Sequence, residues 1–154
     1  MPNISVDVVG KVNGCGASRK VNDGKWHTVA VTWSHDERKL QLWIDGKPDG
    51  SGVLSAGARP EKAVARIGFT ARDFPQPESF FTGDLQNVRF FQQTLTSQLK
   101  NEETLARTLD GLRGYWVFEG VAGESVEDAS GNQQPAHVRR GKVNSPGDDP
   151  IAAG

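Results

Sequence analysis

The chain has 154 residues, a formal net charge of −1 and 36% hydrophobic residues, a balance typical of one globular domain. The small net charge argues against binding to nucleic acid or to a membrane surface through charge. No apolar run reaches the ~20 residues that a membrane-spanning helix needs. Cys15 is the only cysteine, so the chain cannot form an internal disulfide. Residues 1–7 lack the basic and apolar regions of a signal peptide, which predicts either a cytosolic protein or a piece of a longer exported precursor.

The N-terminal part of the chain predicts strands and glycine-rich loops. Residues 4–9 alternate apolar and polar side chains and predict a first strand. Residues 10–24 are rich in glycine and asparagine and predict a loop, with a short strand near residues 17–21. Residues 28–33 predict the second clear strand, because alternation places three apolar residues on one of its faces, Val29, Val31 and Trp33.

A hairpin follows this strand. The polar residues 34–38 connect it to a strand over residues 40–44. The apolar residues of the latter strand share one face: Leu40, Leu42 and Ile44. Gln41 and Trp43 lie on its opposite face. The Asp-Gly pair at 45–46 suits a tight turn, because both residue types tolerate a positive φ.

The remaining residues predict further strands and one helix. In chain order we expect a loop over 47–60, a strand over 63–69, an exposed loop over 73–78, a longer strand over 80–91, a helix over 96–109, strands over 114–118 and 136–140, and a flexible tail over 144–154. Thr96 can cap the helix and Gly111 can end it. Strands at intervals of about 8–12 residues predict an all-β fold, an antiparallel jelly-roll β-sandwich with one short surface helix.

Four segments of the chain resemble one protein family. Residues 23–33, DGKWHTVAVTW, resemble the DGxWHHVAxT strand of laminin G-like, concanavalin A-like domains, and residues 42–46, LWIDG, resemble the LYVDG hairpin of that family. Residues 67–97 resemble its closing segment through IG, FTGDLQNVRFF and LTS. Residues 114–132 resemble its opening segment through GYWVFEG and VEDASGN. Such a domain is an antiparallel β-sandwich.

The order of these segments differs from the order in the family. The opening segment comes first in the family, whereas here it follows the closing strand and the helix. Two explanations stay open: a circular permutant in which residues 115–118 still pair beside residues 84–91, or a piece cut out of phase from a tandem array. The length of the chain favours a closed, permuted domain over residues 1–143, with residues 144–154 as the tail.

The resemblance implies a non-catalytic recognition module that binds carbohydrate or protein surfaces. It also implies an extracellular or cell-envelope setting, as part of a larger protein. Two alternatives stay open. One is a structural or oligomerisation spacer that associates with another copy through an unpaired sheet edge. The other is a degenerate glycoside hydrolase-like domain.

The acidic residues do not form a pattern for hydrolysis. Retaining glycosidases need two carboxyl groups about 5–5.5 Å apart, which alternate residues on one strand can supply. Glu124 and Glu127 have the wrong spacing for this arrangement, and Asp36 and Glu37 fall in a turn. His27 matches the family's tryptophan-histidine position and is expected to make a structural hydrogen bond. We therefore predict that the protein is not an enzyme.

The resemblance further implies a calcium site. Many laminin G-like domains bind calcium, which takes oxygen ligands from loops, and Asp128 matches their loop aspartate. Asn132 and Asp84 are the other candidate ligands. Gln86 and Asn87 replace two acidic residues of the family, which would weaken such a site. The alternative is that Asp128 forms an Asx turn.

Aromatic residues supply the candidates for ligand contact. Trp43 faces away from Leu42 and Ile44, so its indole could stack on a sugar ring or pack beneath a loop. Asp73 and Phe74 lie in the exposed loop and are further candidates. The other large aromatic residues are expected to be mostly core: Trp26, Trp33, Phe80, Phe81, Phe90, Phe91, Tyr115, Trp116 and Phe118.

Overall fold

The part of the chain that the structure describes consists mainly of short antiparallel strands. A computed structural model describes residues 5–6, 15–34, 36–53, 67–68, 81, 83–101, 105, 110–118 and 125–137. The strands in these residues are β1 (Ser5–Val6), β2 (Cys15–Gly16), β3 (Val29–Ser34), β4 (Lys39–Ile44), β5 (Lys47–Val53), β6 (Val88–Phe91), β7 (Leu112–Trp116), β8 (Ser125–Val126) and β9 (Ala136–His137). A 3₁₀ helix covers Gln98–Lys100. The pairs β1–β2, β3–β4, β4–β5, β6–β7 and β8–β9 are all antiparallel, which confirms the predicted all-β class.

The chain divides into two compact units. The first unit comprises residues 1–63 and 93–110, and it contains β1 to β5 and the 3₁₀ helix. The second unit comprises residues 64–92 and 111–154, and it contains β6 to β9. The single domain predicted over residues 1–143 stays a prediction.

β4 carries the core of the first unit, at the centre of a sheet with the order β3–β4–β5. Leu40, Leu42 and Ile44 are at most 1% exposed, as the alternation in the sequence predicts. Cys15 of β2 packs in one cluster with Leu40 and Leu42, and Ala17 packs against that cluster. β2 therefore covers the apolar face of β4, and burial of these side chains stabilises the unit by about 1.5–3 kcal/mol for each fully buried leucine or isoleucine.

The turn between β4 and β5 has the conformation that its sequence predicts. Asp45 and Gly46 have φ values of 51° and 70°, in the left-handed region that a tight hairpin turn of this kind requires. The strand after the turn contradicts the sequence prediction, which gave residues 47–60 as a loop. Lys47–Val53 forms β5 instead, since pairing with β4 satisfies its backbone and outweighs the low strand propensity of its glycines and proline.

The segment after β2 is fastened to β5 by polar contacts. The Asp49 carboxylate accepts the backbone N–H groups of Ser18 and Arg19 at 3.1 Å each. A Cβ on Gly50 would collide with the carbonyl oxygen of Gly16, so only glycine allows β2 to approach β5 this closely. The Arg19 guanidinium donates to three backbone carbonyls, those of Ile44, Lys47 and Pro48.

Three further predicted boundaries differ from the structure. The short strand expected near residues 17–21 lies at Cys15–Gly16. The strand expected over 80–91 begins at Val88, because Asn87 adopts a left-handed φ of 55° that ends the extended backbone. Of the strand expected over 63–69, only residues 67–68 are described, and they form a bend with Gly68 at φ 87°.

The predicted helix over residues 96–109 is interrupted. The 3₁₀ helix Gln98–Lys100 stops because Asn101 is extended, with φ −138° and ψ 114°. Leu105 is again helical, and it donates its backbone N–H to the Asn101 carbonyl at 2.9 Å. Residues 102–104 and 106–109 lie outside the described residues. Leu99 is buried, so the 3₁₀ helix packs one apolar side chain into its unit.

The second unit is built on the β6–β7 pair. Val88 lies opposite Trp116 and Arg89 lies opposite Tyr115. This is the neighbour relationship that the permuted order of the segments predicts, although permutation itself stays a prediction. The Arg89 guanidinium lies over the Tyr115 ring, 4.5 Å from its centroid. The Ser125–Val126 and Ala136–His137 strands pair separately as β8 and β9.

The expectation that the large aromatic residues are mostly core is wrong for four of them. Those four are well exposed: Trp26, Trp33, Phe81 and Phe90. Side-chain alternation assigns a residue to a face of a strand, but it does not say whether another element covers that face. Phe80 lies outside the described residues.

Candidate functional site

The sheet of the first unit has a groove of about 280 Å³ on its polar face. This face is opposite to the one that buries Leu40 and Leu42, because successive side chains of a strand point to opposite faces. β3 and β4 supply five of the lining residues, Thr32, Ser34, Lys39, Gln41 and Trp43. Glu37, Pro48, Thr94 and Thr96 complete the lining. Hydroxyl, amide and charged groups therefore surround an indole ring.

Hydrogen bonds hold the floor of the groove in place. The Trp43 indole Nε1–H donates to the Thr32 hydroxyl at 2.9 Å, and that hydroxyl donates to the Gln41 carbonyl at 3.5 Å. The Gln41 side-chain amide donates to the carbonyls of Gly50 and Leu42 at 2.9 and 3.0 Å. Both strands and the hairpin partner β5 thus share one network, which fixes the rotamers of the polar side chains.

The rim of the groove carries groups that can exchange water for a ligand. The Ser34 hydroxyl accepts the Glu37 backbone N–H at 3.3 Å, and the Thr94 hydroxyl donates to the Trp33 carbonyl at 3.3 Å. The carboxylate of Glu37 and the ammonium of Lys39 are exposed, and neither forms an ion pair with another described residue. The rim therefore offers a ligand a negatively charged acceptor, the Glu37 carboxylate, and a positively charged donor, the Lys39 ammonium.

The candidate ligand residues have different positions. Trp43 is only 7% exposed, so its ring packs within the sheet face and contributes a wall of the groove rather than an open stacking platform. Contact of Trp43 with a ligand stays a prediction. Asp73 and Phe74 lie outside the described residues, and their ligand contact stays a prediction.

Asp128 organises a turn in the second unit. Its Oδ1 accepts the backbone N–H groups of Tyr115 and Ser130 at 2.9 Å each, and its Oδ2 accepts that of Gln134 at 3.1 Å. Hydrogen bonding with Ser130, and then with the backbone of Tyr115, lowers the pKa of Asp128 to about 2. The Ser130 contact is that of an Asx turn. The carboxylate thus fastens the segment before β9 to β7.

These contacts do not fit a calcium site. Both oxygens of Asp128 already accept N–H donors, whereas calcium needs carboxylate and carbonyl oxygens turned toward one point. The Asn132 amide nitrogen donates to the carbonyl of Leu112 and to the hydroxyl of Ser130, and Asp84 is exposed. Within the described ranges no three His, Cys, Asp or Glu side chains cluster as metal ligands. Calcium binding stays an untested prediction.

His27 joins two aspartates of the first unit in a contact that we call the His27 clasp. Its Nδ1 lies 2.9 Å from Oδ2 of Asp45, and its Nε2 lies 2.9 Å from Oδ1 of Asp23. Asp45 Oδ1 also accepts the Thr28 backbone N–H at 3.0 Å. The structural hydrogen bond expected for His27 is confirmed. Each aspartate belongs to an Asp-Gly pair, so the clasp ties the turn before β3 to the turn after β4.

The charges of the clasp are mutually stabilising. Hydrogen bonding to Asp45, followed by that to Asp23, raises the pKa of His27 above its usual 6.5. The same contacts with His27 lower the pKa of both carboxyl groups below 3.8. The imidazole side chain is 16% exposed and the carboxylates are about half exposed, so water screens these interactions.

Sequence reasoning missed the groove as a site. The alternation of side chains along β4 placed Trp43 and Gln41 on one face of the sheet. The alternation along β3 assigns Thr32 to that face as well. Nothing in the sequence indicated that Thr94 and Thr96 line a groove, because they belong to a segment that approaches the sheet only in the folded chain. Thr96 was expected to cap a helix, whereas Ser97 precedes the 3₁₀ helix and Thr96 lines the groove.

Antiparallel strands and a polar groove on one sheet face define an all-β protein with a candidate recognition site. The chain belongs to the concanavalin A-like lectin/glucanases superfamily, since the laminin G family model of that description matches residues 3–98. Its fold is accordingly the antiparallel β-sandwich of that superfamily. No solved structure matches the chain with significance.

The family sets the range of functions. Its description includes both lectins, which bind carbohydrate, and glucanases, which cleave it. The matched segment contains β1 to β6, the groove and the His27 clasp, and residues 114–132 lie beyond it. Among the described residues, no helix is both long and apolar enough to span a membrane.

Proposed function

We propose that this protein is a non-catalytic recognition module that binds carbohydrate in the groove beside Trp43. The observation that carries the proposal is the combination of hydroxyl, amide and charged groups with an indole wall in one depression of the sheet. Saccharides present many hydroxyl groups and apolar C–H surfaces, and such a lining can bind both. Membership of a superfamily that includes lectins supports the same ligand class.

The rim residues would make the contacts that a ligand gains on binding. Lys39 can donate to a sugar hydroxyl or acidic group, Glu37 can accept from a hydroxyl, and Thr96 can do both. Thr32 and Gln41 are already engaged in the floor network. Their role is to keep the groove in one shape, which lowers the entropy cost of binding.

A glycan array followed by calorimetric titration of the positive sugars tests this proposal. We expect Lys39→Gln and Thr96→Ala each to weaken binding by about tenfold, equivalent to about 1.4 kcal/mol. Lys47→Gln is the matched control, because Lys47 is an exposed lysine of β5 that does not line the groove. The absence of binding to any sugar would contradict the proposal, as would wild-type affinity in both groove variants.

We propose no hydrolytic role. Glu37 is exposed on the turn before β4, and it is the one carboxylate among the described residues that line the groove. Glycoside hydrolysis requires two carboxyl groups that flank the bond to be cleaved. Cleavage of glucans by the wild type that is abolished by Glu124→Gln or Glu127→Gln would overturn this assignment.

The extracellular or cell-envelope setting is proposed from the family alone.

The permuted architecture and a second candidate function are further proposals. The β6–β7 pair supports the circularly permuted arrangement, since it joins the closing and opening segments of the family pattern side by side. A role in assembly is the second candidate function, since among the described residues no strand pairs with the outer side of β3.

A further inference from the structure

Four aspartates of the chain are each followed by glycine, at residues 23–24, 45–46, 49–50 and 110–111. Such a pair is open to one reaction in particular, in which the glycine backbone nitrogen attacks the carboxyl carbon of the aspartate side chain. Glycine permits this approach because it has no Cβ to keep the two groups apart. By sequence the four pairs are alike, and what distinguishes them is how the fold holds each carboxylate.

The Asp49 carboxylate is held by several hydrogen bonds. It accepts the backbone N–H groups of Ser18 and Arg19 at 3.1 Å each, and it also accepts the Ser18 hydroxyl. The Asp49 side chain is 1% exposed. Hydrogen bonding to the Ser18 side chain, and then to the backbone of Arg19, lowers the pKa of Asp49. The carboxyl carbon therefore cannot turn toward the Gly50 nitrogen without losing these contacts.

The Asp23 and Asp45 carboxylates are held by the His27 clasp. Each of them lies 2.9 Å from one ring nitrogen of His27. Asp23 also accepts the Lys25 backbone N–H at 3.1 Å, and Asp45 accepts that of Thr28 at 3.0 Å. Hydrogen bonding to His27 is the main cause that lowers the pKa of both carboxyl groups. A lower pKa reduces the neutral carboxyl form, which is the form whose hydroxyl group can leave as water.

The Asp110 carboxylate is held more weakly. The Gln93 side-chain amide donates to Oδ2 of Asp110 at 3.3 Å, and no backbone N–H of a described residue donates to this carboxylate. The same amide donates to the Asp110 backbone carbonyl at 2.8 Å, which is the shorter of the two contacts. Asp110 is exposed, and Gly111 has a φ of 71° in the turn before β7. Rotation of the Asp110 side chain toward the Gly111 nitrogen therefore breaks one long hydrogen bond.

We propose that Asp110 is a self-modification site, at which the folded protein converts aspartate to isoaspartate. The Gly111 nitrogen bonds to the side-chain carboxyl carbon and loses its proton, and the carboxyl hydroxyl group leaves with a proton as water. The product is a five-membered succinimide ring, which a second water molecule opens. Addition of that water to the Asp110 backbone carbonyl carbon breaks its bond to the Gly111 nitrogen, which regains a proton. Isoaspartate results, and water is the only other reactant.

The modification changes the backbone next to the start of β7. In isoaspartate the main chain runs through the side-chain carbons and is one atom longer, and the former backbone carbonyl becomes a free carboxylate. That carbonyl accepts the Gln93 amide in the unmodified protein. The neighbouring Gly111 carbonyl accepts the Gln92 backbone N–H at 2.8 Å. A longer backbone moves both acceptors, so we expect the modified protein to have a lower Tm.

Incubation at physiological temperature and neutral pH, followed by peptide mapping, tests the proposal. The mapping assigns isoaspartate to each position, and it separates the four pairs from Asn13, which also precedes glycine and lies outside the described residues. We expect isoaspartate to form at Asp110 about tenfold or more faster than at the other three aspartates, because each of those must first break two or more hydrogen bonds. The same incubation in urea is the control. Unfolding removes these contacts, so the four rates should converge.

Two variants make the test sharper. His27→Gln should raise the rates at Asp23 and Asp45 and leave the rate at Asp110 unchanged. Asp110→Glu should keep its Tm on incubation while the wild type loses Tm, because the six-membered ring that glutamate would form closes far more slowly. If His27→Gln unfolds the protein, the comparison of folded and urea-treated wild type provides the test alone. Equal rates at the four pairs in the folded protein would overturn the proposal, as would a faster rate at Asp49 or no isoaspartate at Asp110.

Discussion

His27 and Asp45 lie 2.9 Å apart, between Nδ1 and Oδ2, and this contact links the turn before β3 to the hairpin turn after β4. Asp23 holds the other ring nitrogen at the same distance. The imidazole therefore has a defined orientation, with one carboxylate on each nitrogen. A protonated ring can donate to both carboxylates at once, whereas a neutral ring can donate to only one.

The first prediction concerns pH. The pKa of His27 is raised in the folded state, so its contribution to stability is complete below about 6.5 and is lost as pH rises through the higher folded value. The pKa values of Asp23 and Asp45 are lowered, so their contribution is present above about 3.8 and is lost as pH falls through the lower folded values. We expect the clasp to stabilise most between these limits.

Thermal unfolding as a function of pH measures this effect. His27→Gln should lower the Tm at pH 5.5 more than at pH 8.5, because only the protonated imidazole serves both carboxylates. His137→Gln is the control, since His137 is an exposed histidine of β9. Equal losses of Tm at the two pH values in His27→Gln would show that the ring acts through packing alone.

The second prediction concerns the core of the first unit. Leu42 is 0% exposed and packs with Leu40 and Cys15, so Leu42→Ala should lower the free energy of unfolding by about 2–5 kcal/mol through lost burial and the cavity left behind. Denaturant titration measures this loss. Val53→Ala removes an exposed apolar side chain from the same sheet and should cost no more than about 0.5 kcal/mol. A small effect of Leu42→Ala would mean that β2 does not cover β4.

The third prediction concerns the crossing of β2 over β5. A Cβ on Gly50 meets the carbonyl of Gly16, so Gly50→Ala should destabilise the protein by about 1–3 kcal/mol through forced separation of the strands. Gly16→Ala is the paired control, because a Cβ on Gly16 meets no atom within 4 Å. Equal unfolding free energies for the two variants would contradict the close approach.

The fourth prediction concerns Asp128 and calcium. Since its oxygens serve backbone N–H groups, Asp128→Ala should lower the Tm of the metal-free protein. The pKa of about 2 predicts that this contribution is complete above about 3.8 and fades as pH falls toward 2. A chelator should leave the Tm of the wild type unchanged. A rise in Tm on addition of calcium that Asp128→Ala abolishes would instead support the predicted metal site.

The amount that the sequence determines varies between segments. Alternation alone identified the buried face of β4, because every second side chain of a strand shares one environment. The Asp-Gly pair at 45–46 determined its own turn, because the required φ values are local. The strand at Lys47–Val53 was missed, since pairing with β4 overrides the low strand propensity of its glycines and proline.

By itself, the sequence determined the family, the all-β class and the residues on each face of the β3–β4 hairpin, because these follow from short-range periodicity and motif. Only the tertiary structure decided which faces are covered. It buried Leu42, left Val31 exposed and brought Thr94 and Thr96 to the polar face beside Trp43. The physical reason is that burial and groove lining depend on elements distant in the chain, and no local pattern records their approach.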